Sequence, residues 1–147
     1  MYTKLDDVKK ASNELLKLIR KFPDKSEYLS LLAELYFNYN QDKKGLQILD
    51  RILKAEPDNG FVHFYLADYY RSKKELKEAD RHTKEALVSD KIENGYKIQY
   101  ILKLILNPDT TLTSDSQLDN YMNLLMQKYS DDLSVRALHS DFLKKDH

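Results

Sequence analysis

The chain has 147 residues with no cysteine, three glycines and three prolines, and its 24 basic side chains balance its 24 acidic ones. The lack of cysteine excludes disulfides, thiolate metal sites and cysteine nucleophiles. So few glycines and prolines leave little material for the turns of a sheet protein, and a neutral total gives no electrostatic reason to bind nucleic acid or an anionic membrane surface. An all-helical chain forming a single domain of residues 1–147 is expected.

The N-terminal segment predicts one amphipathic helix over residues 3–21. Val8, Ala11, Leu15 and Ile19 recur at three- and four-residue spacing, which places them on one face. In the repeat register described next, this helix corresponds to a second helix, so residues 1–25 are assigned to the end of a preceding repeat. The same segment has no apolar core of a signal peptide, and no run approaches the ~18 apolar residues of a membrane span. Direct membrane insertion is not expected.

Residues 26–59 and 60–93 read as two copies of one helical hairpin, because a shift of 34 residues superposes similar side chains. Two capping boxes are predicted at helix starts, Asp24 with Glu27 and Ser72 with Glu75. The superposed positions are Leu32 and Leu66, Ala33 and Ala67, Tyr36 and Tyr70, Gly45 and Ala79, and Ile52 and Ala86.

The C-terminal part predicts a degenerate repeat over 94–132 and one further helix within 133–147. Lys91 and Ser130 hold equivalent places but are 39 residues apart, so five extra residues fall near 107–114. Ser114 with Gln117 predicts a capping box that opens the helix after this insertion. The pattern gives about eight helices in all.

The 34-residue period, with a small residue, a tyrosine, a second small residue and a closing proline, resembles the tetratricopeptide repeat. This resemblance implies a right-handed α-solenoid of antiparallel helix hairpins. It also implies a non-catalytic scaffold that binds a peptide or partner protein in a concave groove lined by the first helices. The sequences LNPD and SDFL further resemble bacterial cell-envelope lipoproteins of this family, which implies an exported parent protein and favours periplasm or envelope over cytoplasm. The uncapped end helices suggest a piece of a larger repeat protein, or a homodimer.

The groove residues implied by the resemblance are found by stepping along the period. Glu34 leads to Asp68, then to Leu102 and, past the insertion, to Asp141, so three of the four residues in this column are acidic. Aromatic and acidic groups together would suit a partner with apolar anchors and a basic residue. The alternative is that Phe61 and Phe64 pack in the core, as aromatic residues at helical spacing usually do. The full candidate set is Glu27, Glu34, Phe37, Phe61, Phe64, Tyr65, Asp68, Arg71, Gln99 and Asp141.

Three other functions are less well supported by the sequence. A groove that clamps a chaperone C-terminus needs lysine, asparagine and arginine, whereas the matching places hold Ser30, Glu34, Tyr65, Gly95 and Gln99. An RNA-binding helical-repeat module is opposed by the acidic column. A helical accessory domain of an enzyme is the third possibility, although no nucleotide-binding or hydrolase motif occurs and no two histidines have the i, i+4 spacing of a zinc pair. No cofactor or metal is expected.

Overall fold

The computed structural model describes residues 4–145, and these contain nine helices and no strand. The all-α class predicted from the sequence is therefore confirmed. Within this part of the chain, no helix is both long and apolar enough to cross a membrane. The helices are α1 (Lys4–Lys21), α2 (Ser26–Asn38), α3 (Asp42–Ala55), α4 (Gly60–Ser72), α5 (Leu76–Val88), α6 (Asn94–Leu106), α7 (Pro108–Thr111), α8 (Asp115–Lys128) and α9 (Leu133–Lys145).

The chain divides into two compact units after Pro57. Unit 1 contains α1 to α3, and unit 2 contains α4 to α9. The division falls close to the repeat boundary placed between residues 59 and 60. A single domain, the remaining repeat boundaries and the sense of the solenoid stay predictions.

The turns inside the two central hairpins have the same backbone geometry, 34 residues apart. Asn40 and Lys74 both adopt the left-handed conformation, with φ of 61° and 60°. The next amide in each turn bonds back into the preceding helix, from Gln41 N to Tyr36 O at 2.8 Å and from Glu75 N to Tyr70 O at 2.9 Å. The repeat seen in the side chains is thus also present in the backbone.

Unit 1 is built by α2 packing against α1 on one side and α3 on the other. Leu32 on α2 and Ile52 on α3 are almost completely buried. Gly45 explains how closely α2 and α3 approach, because a Cβ there would lie 2.7 Å from Cε2 of Phe37. A side chain at position 45 would therefore force the Phe37 ring to shift.

Unit 2 has a continuous apolar core drawn from α4, α5, α6, α8 and α9. Its fully buried side chains repeat at helical spacing, as expected for helix faces that pack on one another. The members with essentially no exposed surface are Ala67, Ala86, Leu87, Ile101, Leu104, Tyr121, Met122, Leu125 and Val135.

Helix starts only partly follow the predicted caps. Ser114 and Gln117 form the complete capping box predicted for α8, so that prediction is confirmed. The other two are wrong. Lys25 occupies the N-cap of α2 without a side-chain bond, which leaves Asp24 one residue too early. Ser72 ends α4 instead, and its hydroxyl donates to Tyr69 O at 2.6 Å.

The predicted insertion contains a helix of its own, which is why nine helices are described where about eight were expected. Pro108 provides the fixed φ that suits a first helical turn, and the turn ends at Leu112, whose φ of 53° is left-handed. Thr113 Oγ1 then donates to Thr111 Oγ1 at 2.9 Å, and this bond stabilises the chain where it leaves α7.

Candidate interaction surface

Helices α4 and α6 bring two pairs of aromatic rings together. The Phe61 and Tyr96 centroids lie 5.3 Å apart with an angle of 73° between the rings. Three and four residues further along, Phe64 and Tyr100 stack at 4.2 Å and 24°. The same two helix faces therefore contact each other over two turns.

Further along α4 and α6, a charged contact joins the same two helices. Asp68 accepts hydrogen bonds from Lys103 Nζ at 2.8 and 3.0 Å, and from the Tyr100 hydroxyl at 2.8 Å. The carboxylate is about half exposed, so this ion pair is partly screened by water. Asp68 consequently presents less free negative charge than the sequence suggested.

Arg71 is buried beneath these contacts between α4 and α6 and is not exposed beside them. Its side chain is 8% exposed and donates to the Tyr100 hydroxyl and, at 2.8 Å, to Thr83 Oγ1. Asp68 Oδ1 is 3.8 Å away. Burial raises the pKa of the Tyr100 phenol; the Arg71 charge opposes that rise and Asp68 reinforces it. Tyr100 therefore remains protonated and can donate to Asp68.

The first ring pair stands at the surface of unit 2. Phe61 is 55% exposed and Tyr96 50%, and Tyr65, one turn beyond Phe61, is also exposed. Beside Tyr96, an added Cβ at Gly95 would meet no atom within 4 Å, so nothing in the described structure fills the space next to this glycine. We call Phe61, Tyr65, Gly95 and Tyr96 the aromatic surface.

The candidate residues predicted from the sequence fall into interior, half-buried and exposed groups. Phe64 (9% exposed) and Arg71 are interior residues of unit 2, because α6 covers the first and the hydrogen bonds to Tyr100 and Thr83 hold the second. Phe37 is half-buried in unit 1 against Gly45. The exposed candidates are Glu27 and Glu34 in unit 1, and Phe61, Tyr65, Asp68, Gln99 and Asp141 in unit 2.

Tyr96 of this surface, and Lys103, which pairs with Asp68, were not among the predicted site residues. Both contact α4 residues that lie 35 positions earlier, Phe61 and Asp68, whereas the prediction stepped by 34. A search that allowed the period to vary by one residue would have found both.

A second polar cluster surrounds the C-terminal end of α5. Lys97, with no exposed surface, donates to Ser89 O at 2.5 Å and to the Tyr129 hydroxyl at 2.7 Å. Lys128, on α8, donates to Val88 O at the end of α5. Burial lowers the pKa of Lys97 to about 8. These cations lie where helix carbonyls lack partners, so the cluster stabilises the helix end.

Among residues 4–145, no three histidine, aspartate or glutamate side chains are grouped so as to hold a metal ion. Within the same residues, every buried side-chain nitrogen and oxygen has a hydrogen-bond partner. The described polar groups of the interior are thus engaged with one another.

Part of the chain is similar to interferon-induced protein with tetratricopeptide repeats 2 of Cricetulus griseus, at 29% identity over 55 residues. The matched segment covers 37% of this chain and only 12% of that protein. No family model matches the chain, and no solved structure matches it significantly. The similarity agrees with the repeated helical hairpins. It lends no support to a bacterial cell-envelope lipoprotein.

Proposed function

We propose that this chain is a non-catalytic protein-interaction module of the tetratricopeptide type. The repeated hairpin turns and the partial similarity to a tetratricopeptide-repeat protein support the class. The observation that carries the proposal further is the exposed Phe61 and Tyr96 ring pair on adjacent first helices. Contiguous exposed apolar patches often mark sites where a protein binds a partner.

We propose the aromatic surface as the place where a peptide or a partner protein docks. Aromatic side chains bury a large apolar area and lose little conformational freedom, which is why binding hot spots concentrate on them. Gly95 is exposed, and a Cβ added there would meet no atom within 4 Å, so the surface beside Tyr96 is open to a partner. Gln99 and Asp68 lie further along α6 and α4 and can accept hydrogen bonds at its polar edge. Glu27, Glu34, Phe37 and Asp141 remain candidate contacts without a defined place on this surface.

Selection of peptides from a random phage-displayed library against the full chain tests this proposal. Enriched peptides should bind Phe61→Ser and Tyr96→Ser variants at least about tenfold more weakly, the loss expected when a hot-spot residue is removed. Tyr39→Ser is a matched control, since Tyr39 is similarly exposed but belongs to unit 1. Peptides that bind all three variants as tightly as the original chain would overturn the assignment to this surface.

A further inference from the structure

A pair of buried histidines joins the two helices of the α4–α5 hairpin. The Nδ1 atoms of His63 and His82 are 2.9 Å apart, and both side chains are about 95% shielded from solvent. The Tyr70 ring stacks on His82 at 5.6 Å and 9°. Two nitrogens of the same type at this distance form a hydrogen bond only if one carries a proton and the other does not.

The surroundings define which nitrogen carries the proton. Arg81 Nη2 lies 3.1 Å from His82 Nε2, and a guanidinium can only donate. His82 Nε2 must then accept, so the His82 proton is on Nδ1 and is donated to His63 Nδ1. This places the single proton of neutral His63 on Nε2.

No further proton can be added without loss of a hydrogen bond. A proton on His82 Nε2 would face the Arg81 guanidinium, and a proton on His63 Nδ1 would face the His82 N–H. Burial is the main reason that the pKa of His82 falls to about 4; Arg81 and His63 lower it further, and Glu78 opposes them. The His82 ring is accordingly neutral when the hairpin is folded at neutral pH.

The Glu78 carboxylate is poorly placed to stabilise a positive charge on His82. Glu78 Oε2 is 4.0 Å from His82 Nε2 and already accepts from Arg81 at 2.9 Å. From α4, the pair meets Tyr70. The helix α8 also packs on α5, but its Tyr121 donates to Asp80 rather than to either histidine. An imidazolium formed at His82 would therefore share its carboxylate neighbour with Arg81.

We infer that His63 and His82 form an acid-sensitive latch, which holds α4 against α5 while both rings are neutral and loosens the hairpin when the pair is protonated. The unfolded chain takes up histidine protons near the ordinary pKa of 6.5, whereas the folded hairpin resists protonation down to lower pH. Acid between these values therefore favours the open hairpin. The latch does not depend on what the aromatic surface binds.

Hydrogen exchange of the full chain, read by mass spectrometry between pH 7.5 and 5 and corrected for intrinsic exchange rates, tests the latch. Protection of peptides from α4 and α5 should fall by roughly tenfold or more across this range, as expected for a strongly lowered histidine pKa. Peptides from α2 and α3, which contain no histidine, should lose less.

The double variant His63→Asn with His82→Asn keeps a donor and an acceptor near the Nδ1 positions but cannot titrate, so the extra loss should disappear. His139→Asn, on α9, is the matched control and should behave like the original chain. A second measurement does not depend on any variant: nitrogen-15 NMR at pH 5.5 should show His82 neutral and protonated on Nδ1. A His82 that titrates near pH 6.5, or an acid sensitivity that persists in a folded double variant, would overturn the latch.

Discussion

Lys97 Nζ lies 4.0 Å from the centroid of the Tyr129 ring and 2.7 Å from the hydroxyl oxygen of the same residue. One buried cation thus contacts both the ring and its polar end. The Tyr129 hydroxyl is also 3.1 Å from Ser89 O, to which it can donate, so the residues that directly follow α5 and α8 meet Lys97 of α6 at a single carbonyl.

Replacement Lys97→Met should destabilise unit 2 by about 1–3 kcal/mol. Methionine can fill the space, but the Asn94 amide oxygen and one bond to Ser89 O lose their donor in the interior. Urea unfolding followed by circular dichroism measures the change. Lys91→Met, at an exposed position nearby, should remain within about 0.5 kcal/mol of the original chain. Equal effects of the two changes would contradict the structural role of Lys97.

Stability should rise between pH 8 and about 10 and fall above that. Over the first interval the unfolded chain keeps the Lys97 proton, whose ordinary pKa is 10.5, while the folded chain releases it. Above about pH 10 the unfolded chain loses tyrosine protons that the folded chain keeps, because burial raises the pKa of Tyr100, Tyr121 and Tyr129. Urea midpoints measured from pH 7 to 11 test both slopes. The rise should vanish in Lys97→Met, and the fall should lessen in Tyr129→Phe.

Phe64→Ala should cost about 3 kcal/mol of stability, the usual loss for a buried phenylalanine. Its ring is 9% exposed and stacks on Tyr100. Phe61→Ala removes a ring of the same type three residues earlier, yet it should cost less than about 1 kcal/mol because the ring is mostly exposed. Thermal melting of both variants would distinguish the two positions, and a Phe61→Ala variant as unstable as Phe64→Ala would show that the exposed ring supports the fold.

Arg71→Leu should lower the stability of unit 2 by about 2–3 kcal/mol, somewhat below the loss typical of a fully buried ion pair because Asp68 is half exposed. The change removes the donor to Thr83 and leaves the Tyr100 hydroxyl with one fewer partner. Arg136→Leu, at an exposed position of α9, is the matched control. Chemical unfolding would contradict the prediction if the two variants were equally stable.

Two glycines should respond in opposite directions to alanine. Gly45→Ala should destabilise unit 1 by up to about 2 kcal/mol, because the added methyl group would overlap the Phe37 ring, and Phe37→Leu should relieve it. Gly95→Ala meets no neighbouring atom within 4 Å and should stabilise α6 by about 0.5–1 kcal/mol. Differential scanning calorimetry of the three variants checks both directions. A stabilising Gly45→Ala would show that the ring moves aside freely.

The period and the helices were predictable because similar residues recur every 34 positions and apolar residues recur at helical spacing. Burial within a helix face was harder to predict. Phe61 and Phe64 lie one turn apart on α4, and the second is an interior residue because Tyr100 and the rest of the unit 2 core pack on it. Lys97 gives no sign in the sequence that it is buried, because its burial depends on carbonyls and a hydroxyl supplied by other helices.

The insertion shows a similar limit. The extra length was visible as a departure from the period, but its one-turn helix depends on local backbone choices at Pro108 and Leu112. Capping boxes were equally ambiguous, since a suitable residue pair predicts a cap only if the helix begins at that residue. Ser114 meets this condition, and Ser72 does not because α4 continues through it.

The left-handed residues at the two hairpin turns mean that a substitution in the second turn could raise the stability of its hairpin. Asparagine tolerates this conformation well, which suits Asn40, whereas lysine at position 74 adopts it at a cost of roughly 1 kcal/mol. Glycine would adopt it without that penalty. The turn at Lys74 is therefore a place where sequence drift or deliberate engineering can strengthen the hairpin without touching its core, its histidines or its exposed rings.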